Sequence, residues 1–198
     1  MSESAQPQVA IDESAATDLR TDSEERIQPI FVTTEYKGRY QSANQVRDIP
    51  EFFVDEPTEL GGKNAGPTAL EMTLAALNSC SAMIMYIMKM EMRFDLRDVR
   101  FETSGWIDVR RIEMRRKKLK YSEVEPVARH YHKVSQKVFV TTDETPERLE
   151  QFRAEVERLC PMYALLEDAG VPLESNWIRC SLFPAPPSRF IGAATRNH

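Results

Sequence analysis

The stretch that decides the fold of this chain runs from residue 61 to residue 80 and reads GGKNAGPTALEMTLAALNSC. A glycine-rich segment gives way to Pro67, whose fixed backbone angle suits the first turn of a helix. Apolar residues then recur at helical spacing, and Cys80 lies among them. The sequence therefore predicts a long helix from Pro67 to about Met90 that carries a cysteine within an apolar run.

This predicted helix is apolar on nearly every face, so we expect it to be buried on nearly every face. One sheet cannot cover so much surface, which hints at dimerisation. The uncharged run from Met72 to Met88 has 17 residues and includes polar ones. A membrane span needs about 20 mostly apolar residues, so the pattern indicates a buried helix of a soluble protein.

Strands are predicted on both sides of this helix, and a second helix starts at Thr145-Pro146 and is reset at Pro161. The order is two or three strands, a helix, two or three strands, a helix and a strand, which predicts an α+β fold with a largely antiparallel sheet. The predicted strands are Ile30–Tyr36, about Gln41–Val54, Val99–Glu102, Trp106–Met114, Lys133–Thr141 and Leu173–Leu182.

Composition divides the chain into three parts. Its 198 residues are 41% hydrophobic, which is enough for one core and one domain. Residues 1–26 carry seven acidic and two basic side chains and no aromatic residue, so we expect a disordered acidic tail. The folded domain should span 27–182, and a proline-rich C-terminal tail should occupy 183–198.

The start of the chain and the cysteine count both bear on location. Residues 1–26 show neither a basic start nor an apolar segment of the kind that directs secretion. Three cysteines is an odd number and far below a disulfide scaffold, which suits a reducing compartment. We therefore expect a cytoplasmic protein.

Two of the three cysteines have settings that suggest redox chemistry. Cys160 directly precedes Pro161, so it should lie at a helix N-terminus, where free amides and the helix dipole favour a thiolate. Asn78, Ser79 and Ser81 place polar groups around Cys80. An unpaired cysteine in an apolar helix is more often an inert small hydrophobe, and Cys180, which has neither feature, fits that description.

The motifs around both cysteines resemble the osmotically inducible protein C and organic hydroperoxide resistance (OsmC/Ohr-like) family over about residues 30 to 180. Cys160-Pro161-Met162 resembles the second cysteine motif of that family. The resemblance implies an intertwined homodimer with antiparallel sheets around two central helices. The other matching segments are Val54-Asp55-Glu56-Pro57, Leu60-Gly61-Gly62, Gly66-Pro67-Thr68 and Leu77-Asn78-Ser79-Cys80.

The resemblance further implies a two-cysteine thiol peroxidase that needs no metal and no cofactor. Cys80 would attack an organic hydroperoxide and become a sulfenic acid, Cys160 would condense with it to a disulfide, and an external dithiol would restore both thiols. The family places an arginine and a glutamate near the first cysteine. Arg39 is the preferred arginine, with Arg47 in reserve, and Glu71 is the acid in the first turns of the helix.

Other functions are less well supported by the sequence. A basic cluster could contact phosphates, but no nucleic-acid motif accompanies it, and a solvated hairpin is the better interpretation. His130 and His132 offer two metal ligands without a third. We expect neither nucleic-acid nor membrane partners. The alternative to an enzyme is a carrier or sensor of the same fold that binds a small apolar ligand. The basic cluster consists of Arg110, Arg111, Arg115, Arg116, Lys117, Lys118 and Lys120.

Overall fold

The computed structural model describes residues 29–110 and 128–181, together with Glu113, Lys117 and Lys120. The described residues form a mixed α+β fold with two three-stranded sheets, so the predicted class is confirmed. Both predicted tails lie outside the described residues. The elements are β1 (Thr33–Gly38), β2 (Gln41–Gln45), β3 (Phe52–Val54), α1 (Ala69–Met92), β4 (Asp98–Trp106), β5 (Lys133–Thr141), α2 (Pro146–Leu159), α3 (Pro161–Asp168) and β6 (Leu173–Cys180).

The first sheet is an antiparallel meander of β1, β2 and β3. Gly38, with φ of 99°, and Arg39, with φ of 53°, turn the chain from β1 into β2. The expected continuous extension from Gln41 to Val54 is wrong. A turn at Arg47, whose φ is 49°, separates β2 from β3 and lets the chain reverse.

The second sheet has the order β4-β5-β6, with an antiparallel β4–β5 pair and a parallel β5–β6 pair. The other three strand pairs are antiparallel, as a largely antiparallel fold requires, and β5–β6 is parallel because α2 and α3 carry the chain back to the same end of the sheet before β6 begins. The two strands predicted around Val99 and Trp106 are a single strand, β4. Residues 107–110 lie outside any strand, so the predicted strand to Met114 is wrong over those residues.

The helix α1 begins at Ala69 rather than at Pro67. Thr68 is its N-cap, since the Thr68 hydroxyl accepts from the Glu71 N–H at 3.2 Å and the Glu71 carboxylate accepts from the Thr68 N–H at 2.7 Å. This reciprocal capping box satisfies two of the amides that open the helix. Pro67 therefore lies just outside α1.

The hydrophobic core lies between α1, the second sheet and the helices α2 and α3. One cluster joins the C-terminal half of α1 to β5 and α2, and Phe94 stacks on Phe152 within it at 4.1 Å between ring centroids. The other cluster joins the N-terminal half of α1 to α3 and contains Cys160. Every residue of both clusters follows Thr68, so the first sheet contributes nothing to this core.

One face of α1 remains open in the single chain. Met83, Tyr86, Ile87 and Met90 are each more than half exposed, so the expected burial on nearly every face is not reached. By length and composition α1 could cross a membrane. One such helix is weak evidence, and the helix also provides much of the core of the fold described above.

Candidate active site

The fold brings Cys80 and Cys160 together. Cys80 lies in the middle of α1 and is partly exposed, and it packs against the cluster that contains Cys160. Cys160 ends α2 and is also the N-cap of α3, with 1% of its surface exposed. The two side chains pack together in this cluster, Cys160 raises the pKa of Cys80, and both are free thiols.

The N-terminus of α3 points toward Cys80. Pro161 has no N–H, so Met162 carries the first amide of α3, and hydrogen bonding by this N–H lowers the pKa of Cys80. The next two amides, of Tyr163 and Ala164, both donate to the Cys160 carbonyl at 3.0 Å. The sequence led us to expect the helix amides at the Cys160 thiol, but the Cys160 side chain makes no capping hydrogen bond.

The environment of Cys80 in the single chain favours the protonated thiol. Burial raises the pKa of Cys80 above its usual value. The Met162 amide lowers the pKa, while the hydrogen bond and charge of Cys160 raise it. The net shift of the Cys80 pKa is upward, so a reactive thiolate at this position needs a positive charge in addition to the amide.

The polar residues beside Cys80 in sequence have three different surroundings. Ser81 is 3% exposed, and its Oγ lies 3.7 Å from the Cys160 sulfur. Ser79 is exposed. Asn78 faces the second sheet, where its Oδ1 accepts from Thr103 Oγ1 at 2.6 Å and from Gln136 Nε2 at 2.9 Å. Of the three, only Ser81 belongs to the thiol site.

A buried carboxylate fixes the glycine-rich segment that leads into α1. Asp55 is 2% exposed and accepts from the N–H groups of Glu56, Lys63 and Ala65 at 2.8, 2.9 and 3.2 Å. A Cβ at Gly62 would lie 1.8 Å from the Glu56 carbonyl oxygen, so only glycine fits there. These contacts hold the segment against β3 and so set the entry into α1.

Comparison with known proteins identifies the family. The OsmC-like protein family model matches residues 61–176, which is more than half of the chain and includes both cysteines of the site. The chain belongs to the OsmC-like family. No curated protein sequence matches it.

Solved OsmC-like structures share this fold at low sequence identity. An OsmC-like protein from Mycoplasma pneumoniae aligns with 77% of this chain and 97% of its own, at 11% identity and a TM-score of 0.61. An organic hydroperoxide resistance protein OsmC from Legionella pneumophila aligns with 78% of this chain and 99% of its own, at 12% identity and a TM-score of 0.56. An organic hydroperoxide resistance protein from Elizabethkingia anophelis aligns with 79% of this chain and 100% of its own, at 13% identity and a TM-score of 0.56.

The other candidate site residues of this OsmC-like chain lie apart from the thiols. Arg39 is exposed in the β1–β2 turn, and Arg47 is exposed in the turn before β3. Neither guanidinium hydrogen-bonds or ion-pairs with a described residue. Glu71 is exposed at the start of α1 and is engaged in the capping box with Thr68. It lies nine positions before Cys80 on the helix, a rise of about 13.5 Å along the axis.

Among the described residues, the remaining sequence candidates form no second site of this OsmC-like chain. The thiol of Cys180 donates to the Ile178 carbonyl at 3.4 Å within β6. His130 and His132 are exposed and precede β5 rather than sharing a face of it. Within residues 29–110 and 128–181 no three His, Cys, Asp or Glu side chains are placed to hold a metal ion.

The described part of the basic cluster is limited. Arg110 pairs with Asp108, and Lys117 and Lys120 are exposed. The rest of that cluster lies outside the described residues.

The structure adds two groups to the predicted thiol site, the Ser81 hydroxyl and the Met162 amide, and patterns in the sequence indicate both. Ser81 falls on the same helical stripe as Leu77, Met85 and Met88, which are the other fully buried residues of α1. A serine on an otherwise apolar buried stripe indicates a polar partner inside the core. The Met162 amide follows from Pro161 at the first position of α3, since proline leaves the next residue to supply the first N–H.

Proposed function

We propose that this OsmC-like protein is a thiol-dependent, two-cysteine peroxidase that reduces organic hydroperoxides in defence against oxidative stress in the cytoplasm. The observation that carries the proposal is the pairing of a partly exposed Cys80 with a buried Cys160 at the N-terminus of α3. Two relatives with this fold are named organic hydroperoxide resistance proteins, which agrees with it.

The proposed cycle uses only thiol chemistry. The Cys80 thiolate attacks the terminal oxygen of the hydroperoxide, the O–O bond breaks, and the alkoxide leaves and takes a proton to become an alcohol. Cys80 is then a sulfenic acid. The Cys160 sulfur bonds to the Cys80 sulfur and water leaves, which gives a disulfide. An external dithiol reduces this disulfide by two exchange steps and is itself oxidised.

We also propose that the working form is a homodimer. The open apolar face of α1 and a first sheet that shares no core with α1 both indicate surfaces that a second copy covers. Burial raises the pKa of Cys80 in the single chain, and a positive charge beside the thiol would lower it; we propose that Arg39, or failing it Arg47, supplies that charge in the dimer.

Peroxide consumption with a dithiol reductant tests the enzymatic proposal. Wild-type protein should consume cumene hydroperoxide far faster than free cysteine at the same pH, Cys80→Ser should abolish this activity, and Cys160→Ser should stop after one turnover. Cys180→Ser is the matched control and should leave the rate unchanged. A wild-type rate no faster than that of free cysteine would refute the peroxidase. The alternative would then be a carrier or sensor of a small apolar ligand in which the thiols take no part, and the raised pKa of the Cys80 thiol agrees with an unreactive thiol.

A further inference from the structure

The two sulfurs of a Cys80–Cys160 disulfide have unequal access to a reductant. Cys80 is partly exposed, whereas Cys160 is 1% exposed and lies inside the hydrophobic cluster between α1 and α3. An external thiolate can therefore reach the Cys80 sulfur but not the Cys160 sulfur. When one sulfur of a disulfide is attacked, the other leaves as a thiolate. The geometry makes Cys160 the leaving group.

Ser81 is the hydroxyl residue located at that leaving sulfur. Its Oγ lies 3.7 Å from the Cys160 sulfur, and Ser81 is itself 3% exposed. Between two neutral groups either atom can donate the hydrogen bond. A thiolate has no proton to give, so the Ser81 O–H must be the donor once Cys160 is ionised. A hydrogen bond to an ionised group in a buried site is stronger than one between two neutral groups.

We propose that Ser81 assists reduction of the Cys80–Cys160 disulfide by donating a hydrogen bond to the departing Cys160 thiolate. This inference rests on the two-cysteine chemistry proposed above. The reductant thiolate bonds to the Cys80 sulfur, the disulfide bond breaks, and its electron pair stays on Cys160, which is then protonated from water. The second thiol of the reductant gives its proton to water and, as a thiolate, attacks its own bonded partner sulfur, which closes the reductant disulfide and releases Cys80 as a thiolate.

The Ser81 hydroxyl should affect mainly the reduction of the disulfide. A leaving thiol departs faster as its pKa falls, so a stabilised Cys160 thiolate speeds reduction directly. During disulfide formation Cys160 is instead the attacking group. Stabilisation of the thiolate then makes it more abundant but a weaker nucleophile, and the two effects largely offset each other. Loss of the Ser81 hydroxyl should therefore slow reduction much more than it slows oxidation.

Stopped-flow reduction of the disulfide form tests the inference. The disulfide is formed with diamide, which oxidises paired thiols whether or not the protein reacts with hydroperoxides, and is then reduced with dithiothreitol. Ser81→Ala should be reduced about tenfold more slowly than wild type, because a hydrogen bond to a charged group is lost. The matched control is Ser79→Ala, at an exposed position two residues earlier on α1, which should be reduced at the wild-type rate. Ser81→Thr keeps a hydroxyl and should recover most of the rate.

Several outcomes would overturn the inference. Equal reduction rates for wild type and Ser81→Ala would do so, as would a mixed disulfide trapped on Cys160 instead of Cys80. If Ser81→Ala does not fold, the equally sized pair Ser81→Thr and Ser81→Val makes the same comparison. A wild-type protein in which diamide forms no Cys80–Cys160 bond refutes the two-cysteine chemistry and this inference together. A disulfide that forms in a protein inert to hydroperoxide refutes the peroxidase alone, and the Ser81 comparison still decides the inference.

Discussion

The backbone N–H of Met162, in the first turn of α3, acts on the sulfur of Cys80 in the middle of α1 and lowers the pKa of that thiol. The same turn carries Cys160 as its N-cap. A single structural element therefore positions the second thiol and directs its first amide at the first thiol. Any change in the seating of α3 should alter the distance between the sulfurs and the hydrogen bonding of Cys80 at the same time.

We expect Cys80 and Cys160 to form an intramolecular disulfide on mild oxidation. Cys80 packs against the cluster that contains Cys160, and a disulfide needs Cα atoms within about 7 Å of each other. Peptide mapping by mass spectrometry without reduction should show a Cys80–Cys160 link, and Cys180→Ser should leave it intact. A link that involves Cys180 instead, or none at all, would contradict this prediction.

We expect the protein to be a dimer that buries more than about 2,000 Å² in total. Light scattering should give twice the 22.8 kDa of one chain. Ile87 is 52% exposed on the open face of α1, so Ile87→Asp places a charge in the expected interface and should produce monomers. Ala154→Asp introduces the same charge at an exposed position on α2 and should remain dimeric. A monomeric wild-type protein would be the contrary result.

The sequence predicted the elements whose own residues determine them. Alternation of apolar residues located β5 at Lys133–Thr141, and the Thr145-Pro146 pair located the start of α2, both as found. The predicted start of α1 at Pro67 is two residues before the observed start at Ala69, because the capping box that Thr68 forms with Glu71 determines where the helix begins. That box is visible in the sequence as a threonine followed three residues later by a glutamate.

Features that depend on distant contacts were harder to predict. The parallel pairing of β6 with β5 follows from how α2 and α3 pack, which no local pattern encodes. Asn78 and Ser81 flank Cys80 on the same helix, yet one binds Thr103 and Gln136 on the sheet and the other contacts Cys160. Such differences arise from tertiary packing, so the sequence could name the polar neighbours but not their partners.

We expect the pKa of Cys80 to depend on the oligomeric state. In a monomeric Ile87→Asp variant, burial keeps the pKa above its ordinary value, so the thiol is protonated at neutral pH and alkylation speeds up only as the pH becomes alkaline. In the dimer a nearby arginine should lower the pKa. Iodoacetamide alkylation of Cys80, followed against pH in a Cys160→Ala, Cys180→Ala background for both proteins, measures the difference.

Arg39→Gln separates the contribution of the arginine from that of dimerisation. It should raise the pKa of Cys80 in the dimer and leave it unchanged in the monomer, where Arg39 is not among the groups that shift the pKa of Cys80. The same substitution at Arg47 is the matched comparison. If neither substitution changes the titration of the dimer, the positive charge comes from elsewhere or is not supplied.

Removal of Cys160 should also affect the titration of Cys80. The hydrogen bond and the charge of Cys160 both raise the pKa of Cys80. Cys160→Ala should therefore lower that pKa and speed alkylation of Cys80 at neutral pH relative to the parent thiol pair, with Cys180→Ala present in both proteins. An unchanged or higher pKa would show that the two thiols are not coupled in solution.

Glu71 caps the start of α1, and experiments can separate this structural role from a role in catalysis. Its carboxylate and the Thr68 hydroxyl form one capping box, so Thr68→Ala and Glu71→Ala should each lower the free energy of unfolding by about 1 kcal/mol. Thermal or urea unfolding measures this loss. If capping is the whole role of Glu71, both variants should consume hydroperoxide at the wild-type rate per folded molecule. If Glu71 orients the peroxide in the dimer, Glu71→Ala should lose activity while Thr68→Ala keeps it, and Glu71→Gln should show the same loss of activity with a smaller loss of stability.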